Sequence, residues 1–284
     1  MRAKGLELKR PDQLLTMRRA GLVVAEVLST LRDLARPGAT TAELDQAARD
    51  ILAARGAGSS FLGYGADWGM APYPAVTCIS VNEEIVHGIP GTRVLDEGDI
   101  VSVDFGAIVD DDRGRGWHGD AARTFLVGQV EDDVAELSRV TEESMWAGIG
   151  AMRLGGRIGD ISHAIESSVA AHRRPYGIVR EYTGHGIGSQ MHMSPDVPNH
   201  GRAGRGPKVV EGLCLAIEPM VTMKGEGTAV LDDDWTVVTT DGSWASHWEN
   251  TVTFTKQGLW VLTLEDGGEA ELTRRGLPFG PLAD

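Results

Sequence analysis

The feature that most limits how this chain can fold is an internal echo. "RPGATTAELDQA" from Arg36 is answered by "RLGGRIGDISHA" from Arg153. Both read as a break followed by a short amphipathic helix. "EGDIVSVDF" from Glu97 is answered by "EGLCLAIEP" from Glu211, and an acid stands seven residues after the first Glu in each: Asp104 and Glu218. "DAARTF" from Asp120 is answered by "ENTVTF" from Glu249, where an acid opens a strand and Thr-Phe closes it. Three matches in one order imply two half-domains of similar fold facing each other. The expected bounds are about 10–130 and 131–264 within one domain, with a C-terminal tail over 265–284.

Hydrophobic periodicity fills in the elements. Leu15, Leu22, Val23, Val27, Leu31 and Leu34 recur at helical spacing and predict a helix over Asp12–Leu34, stopped by Arg36-Pro37-Gly38. Thr41 is the expected N-cap of a second helix over Ala42–Arg55. Two more helices are expected at about Val134–Met152 and Ile158–His172. "VTCISV", "DIVSVDFGAIV", "ARTFLVG", "LCLAIEPMV", "WTVVTTD" and "NTVTFT" are β-branched runs and predict strands. The Gly- and Pro-rich stretch before them predicts a loop. "HGRAGRGP" predicts a mobile one, and the Asp runs 110–112 and 232–234 predict solvated hairpin turns.

Side chains alternate along a strand. Val101, Val103 and Phe105 therefore oppose Ser102 and Asp104, just as Leu213, Leu215 and Ile217 oppose Cys214, Ala216 and Glu218. Each half thus brings two acids to the ends of runs that should be buried. Buried carboxylates are costly unless neutralised, and four that converge repel one another. Two divalent cations would cancel the charge. In "YTGHGIGSQMH", His185 can add an imidazole to a site otherwise made of oxygens, a mixture suited to Mn, Fe, Co or Zn. The glycines around it would let the backbone pass close to the metals. His192 is expected to line the same cavity as a polarising or proton-donating group.

Composition narrows the partners. The formal net charge is −14, which argues against nucleic acid and anionic membranes. No apolar run reaches the ~20 residues of a membrane span, and the N-terminus lacks the apolar core of a signal peptide. The two cysteines, Cys78 and Cys214, have no metal-binding spacing and are expected as free thiols. A cytoplasmic monomer is the resulting expectation.

Taken together, "CISVNEEIVHGIP", "GDIVSVDFGA", "HGDAARTF", "EYTGHGIG", "AIEPMV" and "DGSWASHWENT" resemble the type I methionine aminopeptidases, in order from about Arg10 to Leu264. The resemblance implies a pita-bread α/β (α+β) fold, two pseudo-symmetric halves with antiparallel sheet covered by helices and a dinuclear metal site between them. It carries the metal ligands onto Asp104, Asp120, His185, Glu218 and Glu249, and marks His87 and His192 as non-ligand histidines of the active site. The implied activity is removal of the initiator methionine from nascent polypeptides at the ribosome, by water activated between two cations (Co, Mn, Fe or Zn). Glu218 would shuttle the proton, His192 would stabilise the oxyanion and His87 would contact the scissile amide. Tyr64, Tyr73, Cys78 and Trp235 would wall the methionine pocket, with a small following residue preferred.

Three departures from the family pattern stand out. The segment "GYGADWGMAPYP" is longer by about six residues than the family's short equivalent. Met191 and Met193 flank His192 in place of the family's usual neighbours, and His247 and Asn250 stand where Gln and His are common. Prolidases and aminopeptidase P share the implied fold but normally carry a large N-terminal domain, for which a helix starting near residue 12 leaves no room. A binding protein that had lost catalysis would be expected to lack some of the five ligands.

Overall fold

The computed structural model describes residues 5–282, and its named strands pair only in antiparallel fashion. Helix α1 spans Pro11–Leu34 and α2 spans Thr41–Arg55. The cap of α2 is Thr40, one residue before the expected Thr41. Its side chain accepts from Glu43 N while Glu43 Oε2 accepts from Thr40 N, so two orphan donors are satisfied reciprocally. The apolar face of α1 also differs from expectation. Met17, Val24, Val27 and Leu31 are fully buried, whereas Leu22 is 40% exposed, because Ala20 and Gly21 make the closest approach.

These two helices cover a sheet built on the long hairpin Ile100–Asp110 and Gly116–Leu126, with Thr77–Val81 along its other edge. Val101, Val103 and Phe105 enter that helix–sheet core. The hairpin turn is held by Asp111, whose Oδ1 accepts from Arg113 N and Arg115 N. The Asp232–Asp234 run is likewise a turn, with Asp233 accepting from Trp235 N and Thr236 N.

Helices α3 (Asp132–Ala151) and α4 (Ile158–Ala170) pack on a five-stranded sheet ordered Leu259–Val261, Asn250–Phe254, Cys214–Ile217, Gly184–Gly186, Met193–Val197. Leu213, Leu215 and Ile217 enter this second core. The Gly/Arg run expected to be mobile is instead fastened to the start of α4. Ile158 N donates to Pro207 O at 3.0 Å, Gly159 N to Arg205 O at 2.9 Å, and Gly204 N to Asp160 Oδ1 at 2.7 Å. The first turn of a helix has backbone N–H groups without internal partners, and this loop supplies acceptors for two of them. Strand Met193–Val197 and a short helix α5 (Glu269–Arg274) were not expected from the pattern.

A third apolar cluster joins the parts. Leu14 and Met17 of α1 meet Tyr73, Cys78, Ile187, Cys214, Trp235 and Trp260. The two sheets are also stitched edge to edge: Glu249 N donates to Ala122 O at 3.0 Å, and Thr251 Oγ1 both accepts from Asp120 N and donates to Asp120 O.

Candidate metal centre and substrate pocket

That stitching sets the acids face to face. Asp104 and Asp120 lie on the neighbouring strands of the long hairpin. Glu249 enters opposite Ala122, and Glu218 follows the strand that pairs with Asn250–Phe254. His185 sits beside Ala216 on the next strand. The glycines around it serve a different close approach from the one expected. A Cβ on Gly184 would stand 2.4 Å from Ala216 O, and one on Gly186 2.4 Å from Ser194 O. They let three strands run together so that one imidazole reaches the acids.

A cavity of about 310 Å³ opens there, and all the residues singled out from sequence line it: His87, Asp104, Asp120, His185, His192, Glu218 and Glu249 on its polar side, with Tyr64, Tyr73, Cys78 and Trp235. Phe61, Val86, Tyr182, Met220 and His247 also line it and were not assigned from sequence.

The donor chemistry fits a divalent cation. One ligand atom each from Asp120, His185 and Glu249 falls within 4.8 Å of the others, and all three residues are buried. His185 Nδ1 donates to Gly186 O at 3.0 Å, which leaves the Nε2 lone pair facing the acids. That Nε2 is 3.4 Å from Glu218 Oε1 and 3.9 Å from Asp120 Oδ2. Asp104 Oδ1, Asp120 Oδ1 and Glu249 Oε1 are buried without any hydrogen-bond partner. Such orphaned acceptors are rare and demand a partner.

The electrostatics agree. Burial raises the Asp104 carboxyl to about 6. Burial also drives Asp120, Glu218 and Glu249 well above the carboxylate range, reinforced by their mutual repulsion and that of Asp104. His185 is depressed to about 3, first by burial and then by His192. Without cations this cluster resists ionisation, so cation binding and proton release are coupled.

Above the acids, the pocket closes around aromatic rings. The long 63–74 segment folds back on itself: Gly63 N donates to Tyr73 O at 2.8 Å and Tyr73 N to Tyr64 O at 2.9 Å. Its extra residues are looped outward, and both tyrosines return to the cavity. Tyr73 packs edge-on against Trp235 at 5.2 Å, and Trp235 Nε1 donates to Ala71 O at 2.9 Å. The Tyr64 hydroxyl, pushed up to about 12 by burial and by Asp120, keeps its proton and meets His192 Nδ1. His87 is reached by a left-handed backbone, φ 61°, and its ring stands edge-on to Tyr182 and Trp235 at 5.5 and 6.1 Å. Strain of this kind in a non-glycine residue persists where the surroundings impose it.

The two departures at 247 and 250 point in different directions. His247 faces the cavity. Asn250 faces away: its Oδ1 accepts from Arg123 Nη2 and Thr263 Oγ1, each at 2.8 Å. Arg123 also donates to Glu249 O and lies over the Trp248 ring. Asn250 thereby fixes the strand that carries Glu249.

Fold, cavity and donor set define a metal-dependent hydrolase, and the chain belongs to metallopeptidase family M24, whose profile matches residues 16–256. Within that family it falls with the type I methionine aminopeptidases, which are metallo-exopeptidases with the pita-bread fold. It is 48% identical over 258 residues to a methionine aminopeptidase of Clostridium acetobutylicum, covering 90% of this chain and 98% of that one. It is 50% identical over 253 residues to methionine aminopeptidase 1 of Mycobacterium tuberculosis, covering 87% and 91%. The crystal structure of the Thermotoga maritima methionine aminopeptidase superposes with a TM-score of 0.85 at 39% identity, over 92% of this chain and all of that one. Among the described residues, no helix is long and apolar enough to cross a membrane.

Proposed function

We propose that this chain, acting in the cytoplasm as a monomer and a single catalytic unit of two halves, removes the initiator methionine from nascent polypeptides. The observation that carries the reading is the set of orphaned, buried carboxylate oxygens beside an apolar cavity of about 310 Å³, large enough for one side chain. Asp104, Asp120, His185, Glu218 and Glu249 would hold two divalent cations, which supply a more acidic water and a docking point for a free α-amine.

The remaining work falls to side chains of the protein. Glu218, at the edge of the acid cluster, takes the proton of the attacking water and returns it to the leaving amine. His192 Nδ1 meets the Tyr64 hydroxyl; with Tyr64 as the donor, His192 Nε2–H donates to the carbonyl oxygen as negative charge develops there. His87 contacts the scissile amide. Tyr64, Tyr73, Cys78 and Trp235 surround the methionine side chain and exclude water. The Tyr64–His192 pair narrows the rim, which favours a small residue after methionine.

A matrix of metals against Met-Ala-Ser, Met-Lys-Ser and Ala-Pro-Ser tests this. Cleavage of the first peptide well above the second, with the third untouched, is the expected result. Cleavage of Ala-Pro-Ser alone would instead favour a prolidase-like activity.

A further inference from the structure

His247 is 98% buried in the sense that only 2% of its surface is exposed, yet its Nε2 has no hydrogen-bond partner. A buried nitrogen without a partner leaves its lost hydration uncompensated, so the position calls for a reason. The ring is not free to turn away. Its backbone N–H is shared between Ser102 Oγ and Thr124 Oγ1, each at 3.1 Å, and its carbonyl accepts from Thr124 Oγ1 at 2.8 Å. Its strand pairs Met220 with His247 in register, which sets the imidazole beside the end of the Glu218 segment.

Glu218 consequently lies between two imidazoles. Its Oε1 faces His185 Nε2 at 3.4 Å, and its Oε2 faces His247 Nε2 at 3.5 Å. The two contacts differ in kind. His185 presents a lone pair, because its Nδ1–H is committed to Gly186 O. Once cations hold Glu218 ionised, a second lone pair aimed at the same carboxylate would be repulsive on both sides.

We propose that His247 is a positioning residue for Glu218: its Nε2–H holds Oε2 and fixes the rotation of the carboxylate, so that the proton shuttle stays aimed at the attacking water. This rests on the peptidase reading above. A glutamine at 247 carries an N–H at comparable reach and should substitute for the ring; an apolar side chain cannot.

The test uses the full-length protein and the variants His247→Gln and His247→Leu. With metal loaded, H247L should lower kcat on Met-Ala-Ser about 10- to 100-fold while KM moves less than about threefold, and H247Q should stay within about fivefold of the parent. Metal content by elemental analysis should be unchanged in both. In zinc-loaded protein with ¹⁵N-labelled histidine, the His247 ring should show the Nε2–H tautomer, and its Nε2 resonance should move in Glu218→Gln. Loss of a bound metal from H247L would make His247 a ligand and overturn the proposal. Unchanged kcat in H247L, or an Nδ1–H tautomer in the spectrum, would also overturn it. The spectrum decides the matter even if H247L fails to fold. It also separates the two readings: a parent protein inactive on every Met-peptide refutes the peptidase function, while the tautomer is read without turnover.

Discussion

Asp45 is a buried carboxylate outside the cavity lining, and four donors satisfy it. Its Oδ1 accepts from Val76 N, Thr77 N and Thr77 Oγ1 at 2.9, 2.9 and 2.8 Å, and its Oδ2 from Arg49 Nε at 2.7 Å. It ties helix α2 to the strand that carries Cys78. Asp45→Ala should therefore destabilise by about 3 kcal/mol, since it strands several buried donors at once. Urea unfolding checks this, and a loss under about 1 kcal/mol would mean the network behaves like a surface pair. At the cavity, His192→Ala should lower kcat by roughly 10²-fold, the usual scale for removing an oxyanion donor, with metal content retained. Depletion of metal in that variant would make His192 a ligand. The residues of the site differed in how readable they were. Asp104, Asp120, Glu218 and Glu249 could be found because the echo repeats them in register, and His185 because glycines isolate it. His247 stood out only as a departure from the family pattern, and Asp45 not at all, since a single polar residue in a helix carries no sign of what it will face.

Among the elements, the four long helices could be read from apolar spacing to within two residues, because burial on one face imposes that spacing. Strand Met193–Val197 escaped because Pro195 argues against a strand and only Val197 is β-branched, and its place comes from pairing with Gly184–Gly186. Helix α5 escaped because six residues are too few to show a period. Helix α1 hides a further constraint. Gly21 sits mid-helix, where alanine would normally gain roughly 1 kcal/mol of helix propensity. Here an added Cβ would lie 2.0 Å from Leu262 O, and a Cβ on Gly119 would in turn lie 2.8 Å from Gly21 N. Backbone cannot yield as a flexible side chain can, so overpacking wins over propensity. Gly21→Ala should cost at least about 2 kcal/mol, lowering Tm by roughly 4–8 °C. A rise in Tm would show that the helix shifts freely on its sheet.

Taken as one molecule, the protein carries a store of suppressed ionisation. Asp104 at about 6 lies above its unfolded value, as do the three other acids. A raised carboxyl contributes stability that is fully present below the unfolded pKa and is lost as pH rises through the folded one. These acids therefore favour the metal-free fold as pH falls from 7 to 5, while the depressed imidazoles, His185 at about 3 and His192 at about 4, pull the other way because the unfolded chain takes up those protons first. Bound cations favour the ionised acids, so the Tm gap between loaded and metal-free protein should be wider at pH 7 than at pH 5. Thermal melts with and without chelator at both values check this, and a gap that widens on acidification would refute it. The stitch between Glu249 N and Ala122 O has one more consequence. Asp120 waits on a strand completed early in synthesis, while its counterpart across that stitch is added more than a hundred residues later. On the proposed reading, the centre therefore stays incomplete until Glu249 has been added and docked across that seam.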